Sequence, residues 1–273
     1  AEMRLARRVA GVTGGDALAG MSALVTTLGV RHPDDDAPAA ARRLLQLLPS
    51  LFAPARAVGN GPVAERLARC WCGGDDDADV DEVDRALVAA VDRALVLLAE
   101  HELATSTLAV RVAASTWTAP YAAYAAGLAV LQGALHGGAS GQVVALLAEC
   151  EQRGTEVAVG ERLAARQRLP GFGHRIYRGE DPRLRPMLEV VHSLPDPAGR
   201  RDVVDDLLIE AGIRLTQRPN VDLGLGALSF VAGFFCAAPV FAVARIAGFA
   251  AHYVEERGER PLRFRGVVRQ SEG

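Results

Sequence analysis

The feature that most constrains the fold is the helical spacing of apolar residues along most of the chain. In the segment from about residue 80 to 100, apolar residues recur every three or four positions, at Val83, Leu87, Val91, Leu95 and Leu98. Helices are also predicted at about 16–29, 39–48, 50–58, 62–72, 120–133, 141–152, 157–167, 183–193 and 197–214. We find no segment with the alternating pattern of a strand. The sequence therefore predicts an all-α protein, and 273 residues that are half hydrophobic supply an ample core.

Two uncharged stretches, 112–135 and 223–244, reach the length of a membrane span. Both contain polar residues, glycine or proline, and buried helices of an α-protein explain them better than a span. Residues 1–10 are charged and lack the apolar centre of a signal peptide. The sequence therefore predicts a cytoplasmic protein that does not associate with a membrane.

The composition excludes several kinds of chemistry. The net charge is −3 with no basic stripe, which argues against nucleic-acid binding. All 30 basic residues are arginine, so a Schiff-base lysine and the lysine of a Walker phosphate loop are excluded. The chain has four cysteines, and their spacing fits neither a disulfide framework nor a metal site. They are Cys70, Cys72, Cys150 and Cys236. We expect reduced thiols, no metal and no tightly bound cofactor.

One connector, residues 169–183, breaks the helical pattern and is rich in glycine, proline and arginine. Its candidate ligand-binding residues are Gly171, Phe172, Gly173, His174, Arg175, Arg178 and Arg183. Glycines allow close backbone approach to a ligand, histidine titrates near neutrality, and arginine suits carboxylates and phosphates. These properties indicate a functional loop, although a polar surface loop with an incidental histidine fits the same pattern.

Other candidate residues stand at the ends of predicted helices. These are His101, His136, Asp222 and Arg245, together with Arg260 in the cationic C-terminal segment. Each has an ordinary alternative: a core or loop histidine, a helix cap, or a buried salt-bridge partner. A zinc-protease reading of His101-Glu102 fails because position 105 is threonine. Spacing alone does not bring these residues together.

Taken in order, six short motifs make the chain resemble the citrate synthase family over about residues 16 to 266. They are His101-Glu-Leu, Leu135-His-Gly-Gly-Ala139, Gly171-Phe-Gly-His-Arg-Ile-Tyr-Arg178 with Asp181-Pro-Arg183, Asn220-Val-Asp222, Pro239-Val-Phe-Ala-Val-Ala-Arg245 and Arg260-Pro261. The resemblance implies an all-helical, two-domain homodimer that condenses acetyl-CoA or propionyl-CoA with oxaloacetate. It places a large domain, lacking its N-terminal part, at 1–138 and 236–273, and a small domain at 139–235.

The resemblance also implies a role for each candidate residue. Asp222 resembles the base that removes the thioester α-proton, His136 the donor to the enolate oxygen, and His174 the group that polarises the oxaloacetate ketone. His101, Arg183 and Arg245 resemble the ligands of the oxaloacetate carboxylates. Arg260 resembles the arginine that enters the partner subunit's site. Residues 171–178 resemble the loop that holds part of CoA, here a substrate.

The chain departs from the family where Ala104 and Ser140 replace common asparagines. Three interpretations follow from the sequence. The first is a citrate or 2-methylcitrate synthase. The second is a truncated, weakly active or inactive relative that serves as a regulatory or partner subunit. The third is a different CoA-dependent carbon–carbon bond enzyme, or a lyase that runs the reverse reaction.

Overall fold

A computed structural model describes residues 2–53, 60–71, 85–133, 138–174, 177, 179–233 and 237–261. Within these ranges, an isolated bridge between Phe172 and Pro219 is the one β-type pairing, so the prediction of an all-α fold is confirmed. The helices are α1 (Glu2–Val12), α2 (Ala17–Arg31), α3 (Ala37–Phe52), α4 (Val63–Trp71), α5 (Arg85–Ala99), α6 (Thr105–Ser115), α7 (Pro120–Leu131), α8 (Ala139–Arg153), α9 (Thr155–Ala164), α10 (Leu184–His192), α11 (Arg200–Arg214), α12 (Val221–Ala232) and α13 (Ala237–Arg257).

Side-chain caps determine where several of these helices begin. The Asp16 carboxylate accepts the Ala19 N–H at 2.9 Å, and the Asp36 carboxylate accepts the Ala39 N–H at 2.7 Å. Each cap satisfies a backbone donor that the first turn of a helix leaves unpaired. By contrast, α6 begins after Ala104, which offers no side-chain cap. The first turn of α6, close to His101, therefore has no side-chain cap from this position.

Two helix predictions were wrong. The sequence predicts separate helices on either side of Pro49, but α3 continues through this proline. Leu47, Leu48 and Leu51 are all buried, and this burial outweighs the roughly 3 kcal/mol penalty of an interior proline. The sequence also gives no helix before residue 16, whereas α1 occupies that region and buries Ala6 and Ala10.

The two long uncharged stretches differ in burial. The first, 112–135, keeps exposed residues such as Val112 and Trp117, whereas the second, 223–244, includes the buried helix α12. In α12, every residue from 223 to 231 is buried. Helix α12 packs against α8 and α10, while α13 packs against α3, α5, α6 and α7. Among the helices of the described ranges, none combines the length and the apolar character needed to cross a bilayer. Burial by neighbouring helices thus accounts for the uncharged character of α12.

Two glycines in α12 allow it to approach its neighbours closely. A Cβ on Gly226 would lie 2.6 Å from Val143 Cβ of α8, and a Cβ on Gly224 would lie 2.7 Å from Met187 Cγ of α10. Only glycine fits such approaches without moving a neighbouring helix. Helix α12 is consequently clamped between α8 and α10, which fixes the direction of its first turn.

Helices α8 to α12 pack mainly on one another, and α10 and α12 also contact α5. The proposed large domain of 1–138 with 236–273 and the proposed small domain of 139–235 stay a prediction. The predicted helical residues 54–58, 72 and 80–84 lie outside the described residues.

Candidate active site

The glycine-rich loop of residues 169–174 is tied to the segment in front of α12. The Gly173 N–H donates to the Arg218 carbonyl at 2.8 Å, and the Asn220 N–H donates to the Gly171 carbonyl at 2.9 Å. The Asn220 side-chain amide donates to the Gly173 carbonyl at 2.7 Å. Gly171 and Gly173 have φ angles of 82° and 88°, in the region that favours glycine. The loop thereby holds His174 close to the start of α12.

His174 lies in an environment that disfavours its charged form. Its Nδ1 accepts the Tyr177 N–H at 3.0 Å, so the neutral ring carries its proton on Nε2. Burial lowers the pKa of His174; Asp181 opposes this shift and nearby Arg183 reinforces it. The Tyr177 ring covers the imidazole at a centroid distance of 4.6 Å. A neutral imidazole with an Nε2–H donor can polarise a carbonyl group.

Arg183 connects the candidate residues of this site. Its Nη1 lies 2.7 Å from His101 Nδ1 and donates to the Glu100 carbonyl at 3.3 Å. Its Nη2 lies 3.4 Å from His174 Nε2. Its Nε and Nη2 each donate to a different oxygen of Asp181, both at 2.9 Å. One guanidinium therefore brings together residues that are far apart in the sequence.

His101 stands between this arginine and α13. Because Arg183 can only donate, His101 Nδ1 accepts, and the neutral ring carries its proton on Nε2. The ring meets Phe241 of α13 edge-on, with centroids 5.2 Å apart. An aromatic contact of this kind fixes the plane of the imidazole.

Asp222 is the second residue of α12 and has an unusual pKa. Its N–H donates to the Asn220 side chain at 3.0 Å, which caps the helix. Burial raises the pKa of Asp222 to about 6, although the positive charge of Arg183 acts against this shift, and the negative charge of Asp181 adds to it. Such a carboxylate is ionised at neutral pH and is a stronger base than an ordinary aspartate.

Arg245 and Arg260 lie in contrasting environments. Arg245 is 0% exposed and donates to the Leu98 carbonyl at 3.3 Å, to the Ala99 carbonyl, and to Thr107 Oγ1 at 2.7 Å. Burial lowers the pKa of Arg245 to about 10. Arg260, just beyond the end of α13, is exposed. The roles of both as substrate ligands stay predictions.

A cleft of about 470 Å³ opens beside the loop and His174. Its walls include Gln167, Arg168, Phe172, Gly173, His174 and Leu215. A second cleft, of about 540 Å³, is also lined by Phe172 and reaches Glu180 and Arg218. Each volume falls in the range of small-molecule sites.

The structure thus brings His101, His174 and Arg183 into one cluster, and the charge of Arg183 reaches Asp222. His136, Arg175 and Arg178 lie outside the described residues, and their assigned roles stay predictions. Sequence reasoning gave no role to Asp181, which contacts Arg183 directly. The available signal was its position two residues before Arg183, across a proline that turns the chain.

Comparison with known proteins identifies the family of the chain. A family model described as citrate synthase, C-terminal domain, matches residues 4–265. The chain belongs to the citrate synthase family. A 2-methylcitrate synthase of Mycobacterium tuberculosis is 31% identical over 245 residues, which cover 85% of this chain and 62% of that relative. This citrate synthase family member thus spans less than two thirds of the length of that relative.

Two solved structures have a similar fold. The citrate synthase of Thermoplasma acidophilum, solved with carboxymethyl coenzyme A and oxaloacetate, superposes with a TM-score of 0.69 at 24% identity. The match covers 93% of this chain and 72% of that one. A citryl-CoA lyase of Hydrogenobacter thermophilus superposes with a TM-score of 0.61 at 26% identity, covering 71% of this chain and 80% of that one.

Proposed function

We propose that this protein condenses acetyl-CoA or propionyl-CoA with oxaloacetate, giving citrate or 2-methylcitrate and free CoA. The observation that carries the proposal is the Arg183 guanidinium, which lies against both His101 and His174 and acts electrostatically on Asp222. This set offers a cation for a carboxylate, a neutral imidazole for a ketone, and a carboxylate of raised pKa for a weak carbon acid. Membership of the citrate synthase family supports the same chemistry.

In the proposed reaction, Asp222 removes a proton from the carbon next to the thioester carbonyl. The resulting enolate carbon attacks the ketone carbon of oxaloacetate, and the ketone oxygen takes up a proton to become the hydroxyl group. Asp222 then loses the proton that it took from the acyl-CoA, so this condensation step consumes and releases no net proton. The His174 Nε2–H stabilises the charge that develops on that oxygen. Water then hydrolyses the thioester and releases CoA as a thiol. The stabilisation of the enolate by His136 is part of the same proposal.

Oxaloacetate binding requires Arg183 to exchange partners. Its inner edge is held by Asp181, while its outer edge faces the two histidines. A substrate carboxylate accepts from both outer nitrogens better than an imidazole does, because the hydrogen bonds are charge-assisted and bidentate. We propose that the carboxylate enters between Arg183 and His174 and accepts from Arg183, while the His174 Nε2–H donates to the ketone. His101 and Arg245 complete the proposed carboxylate site.

We propose that CoA binds across residues 171–173, beside the cleft that reaches His174. Arg175 and Arg178 are its proposed phosphate ligands. We further propose that the enzyme works in the cytoplasm, where a thiol such as that of the buried Cys150 stays reduced.

The test is release of a thiol from acetyl-CoA or propionyl-CoA that depends on oxaloacetate, with the product identified by mass. His174→Gln should lower turnover about a hundredfold or more, because the ketone loses a preorganised donor. His192→Gln is the matched control, since His192 is an exposed histidine on α10 paired with Asp205, and it should keep full activity. Equal activity of the two variants, or absence of turnover in folded wild-type protein, would contradict the proposal.

A second candidate is cleavage of citryl-CoA into acetyl-CoA and oxaloacetate. It is supported by the likeness to citryl-CoA lyase, of which this chain covers 80%. The same residues would act in the reverse direction, with Asp222 returning a proton to carbon. Oxaloacetate formed from citryl-CoA without thiol release would favour the lyase, whereas thiol release would favour the synthase.

We also propose a homodimer in which Arg260 enters the partner subunit's site. Helix α6 presents Leu108 and Val112 one turn apart, each 51% exposed, and such adjacent apolar residues are typical of an interface. We expect the double variant Leu108→Glu with Val112→Glu to be a folded monomer with little activity. Light scattering and the thiol assay check this.

Helix α11 offers a matched control for that variant. Ile209 and Ile213 also lie one turn apart and are 63% and 75% exposed. They belong to the proposed small domain of 139–235, whereas α6 belongs to the proposed large domain, through which we propose that the subunits pair. Changing both to glutamate should leave the protein dimeric and active. A Leu108→Glu, Val112→Glu protein that keeps the mass of a dimer would exclude α6 from the interface.

A further inference from the structure

The buried carboxylate of Asp181 connects two parts of the candidate site. Its side chain is 0% exposed. Oδ1 accepts from the Arg183 Nε at 2.9 Å and from the Arg183 N–H at 3.0 Å. Oδ2 accepts from the Arg183 Nη2 at 2.9 Å and from the Val221 N–H at 3.0 Å. Four donors therefore converge on one carboxylate, and they come from two separate elements.

The position of the Val221 N–H gives this contact its significance. Val221 is the first residue of α12, and its N–H is one of the donors that a helix start leaves without a backbone partner. The next residue is Asp222, whose own N–H is capped by Asn220. Asp181 and Asn220 thus each accept one N–H group at the start of α12, and Asp181 also accepts from Arg183.

We propose that Asp181 is a positioning residue for the condensation, because it fixes the Arg183 fork and the first turn of α12 in one geometry. This inference rests on the proposed function. With both elements bonded to the same rigid carboxylate, the cation for oxaloacetate and the base for the acyl-CoA keep a constant separation. Reacting groups held in register in this way need little reorganisation in the transition state.

The charge of Asp181 has a second effect on the same site. Burial alone would raise the pKa of Asp181, but the hydrogen bonds from Arg183 and Val221 hold it below its ordinary value, so the group is ionised. Of the charges that act on Asp222, Arg183 lowers its pKa and Asp181 raises it. His174 and His101, both in contact with Arg183, are the titratable groups next to this pair. Removing the Asp181 charge should therefore make Asp222 a weaker base.

The chain contains a control residue for a purely structural role. Asp196 is a second buried carboxylate, with a side chain 2% exposed, and it stands at the start of α11. It accepts the N–H groups of Arg200 and Arg201 at 2.9 and 2.8 Å and the Arg201 Nε at 3.3 Å. Asp196→Asn and Asp181→Asn thus remove the same kind of capping carboxylate, one remote from the candidate site and one inside it.

The experiment compares these two variants with wild type by denaturant unfolding, oxaloacetate calorimetry and the pH dependence of turnover. Both variants should lose stability, but only Asp181→Asn should weaken oxaloacetate binding about tenfold and move the acid limb of the kcat profile to lower pH. Asp181→Glu, which keeps the charge on a longer side chain, should restore the acid limb and not the affinity. If Asp181→Asn does not fold, Asp181→Glu alone tests whether the position of the carboxylate controls oxaloacetate affinity.

Unchanged oxaloacetate affinity and an unchanged acid limb in folded Asp181→Asn would overturn the inference. If wild-type protein binds oxaloacetate without turnover, the proposed function fails, and the affinity comparison still decides the role of Asp181. If wild type does not bind oxaloacetate, both proposals fail.

Discussion

Replacing Asp222 with asparagine is expected to lower turnover by about a thousandfold or more, because the amide cannot accept the α-proton of the acyl-CoA. Oxaloacetate binding should be largely retained, since its proposed ligands are Arg183, His101 and His174, and Asp222 is coupled to Arg183 through its charge. In wild-type protein, kcat/KM should fall as the pH drops below about 6, where this carboxylate becomes protonated. The thiol assay over pH 5 to 9 and oxaloacetate calorimetry measure these effects.

The same substitution is expected to stabilise the fold at neutral and alkaline pH. The pKa of Asp222 is about 6 in the folded protein against 3.8 for an ordinary aspartate, so the folded state holds the proton more tightly than the unfolded state. Stability is therefore lost as the pH rises from about 4 to 6, by about 3 kcal/mol in total. Asparagine is neutral at every pH and avoids this loss, so the gain should be complete above pH 7 and absent near pH 4.

Asp206→Asn provides the matched control, because Asp206 is an exposed aspartate on α11. It should change neither turnover nor the pH dependence of unfolding. Urea unfolding at pH 4, 6 and 8 separates the two variants. Full activity in Asp222→Asn would refute the assignment of Asp222 as the base. A loss of stability at pH 8 would refute the claim that burial of the ionised carboxylate destabilises the folded state.

The sequence predicted the local features of the site better than the contacts between residues far apart in the chain. The glycines and histidine of residues 171–174 were visible because they break a helical pattern, and Gly171 and Gly173 do have positive φ. The contact between Arg183 and His101, 82 positions apart, could not be predicted from spacing. It depends on the packing of α10 against α5, which only the folded chain determines.

Errors in the helix predictions have the same physical origin. A break at Pro49 follows from local backbone chemistry, yet the burial of Leu48 and its neighbours keeps α3 continuous. The sequence did not predict α1, because its buried residues include the small side chains of Ala6 and Ala10, which give little apolar periodicity. In both cases tertiary packing decides the outcome, and packing leaves only a weak trace in the local sequence.

Arg245→Met is expected to lower the free energy of unfolding by about 2–4 kcal/mol, before any substrate is added. The guanidinium donates to the Leu98 and Ala99 carbonyls at the end of α5 and to Thr107 in the first turn of α6. Each acceptor left unpaired costs about 1–3 kcal/mol, partly offset because a buried charge is removed. Arg245 thus fixes the connection that carries His101, and its loss should weaken oxaloacetate binding even if it never touches the ligand.

Arg257→Met is the matched control, because Arg257 is on the same helix, is exposed, and lies over the Trp117 ring at 5.2 Å. Its loss should cost about 1 kcal/mol or less. A Cβ on Gly248 would meet both the Ala99 carbonyl and the Arg245 guanidinium, so the helix is built closely around this side chain. If Arg245→Met keeps wild-type stability and loses only oxaloacetate affinity, the arginine serves as a substrate ligand alone. If Arg245→Met instead loses stability and oxaloacetate affinity by similar free energies, the arginine acts on the site by holding the end of α5 in place.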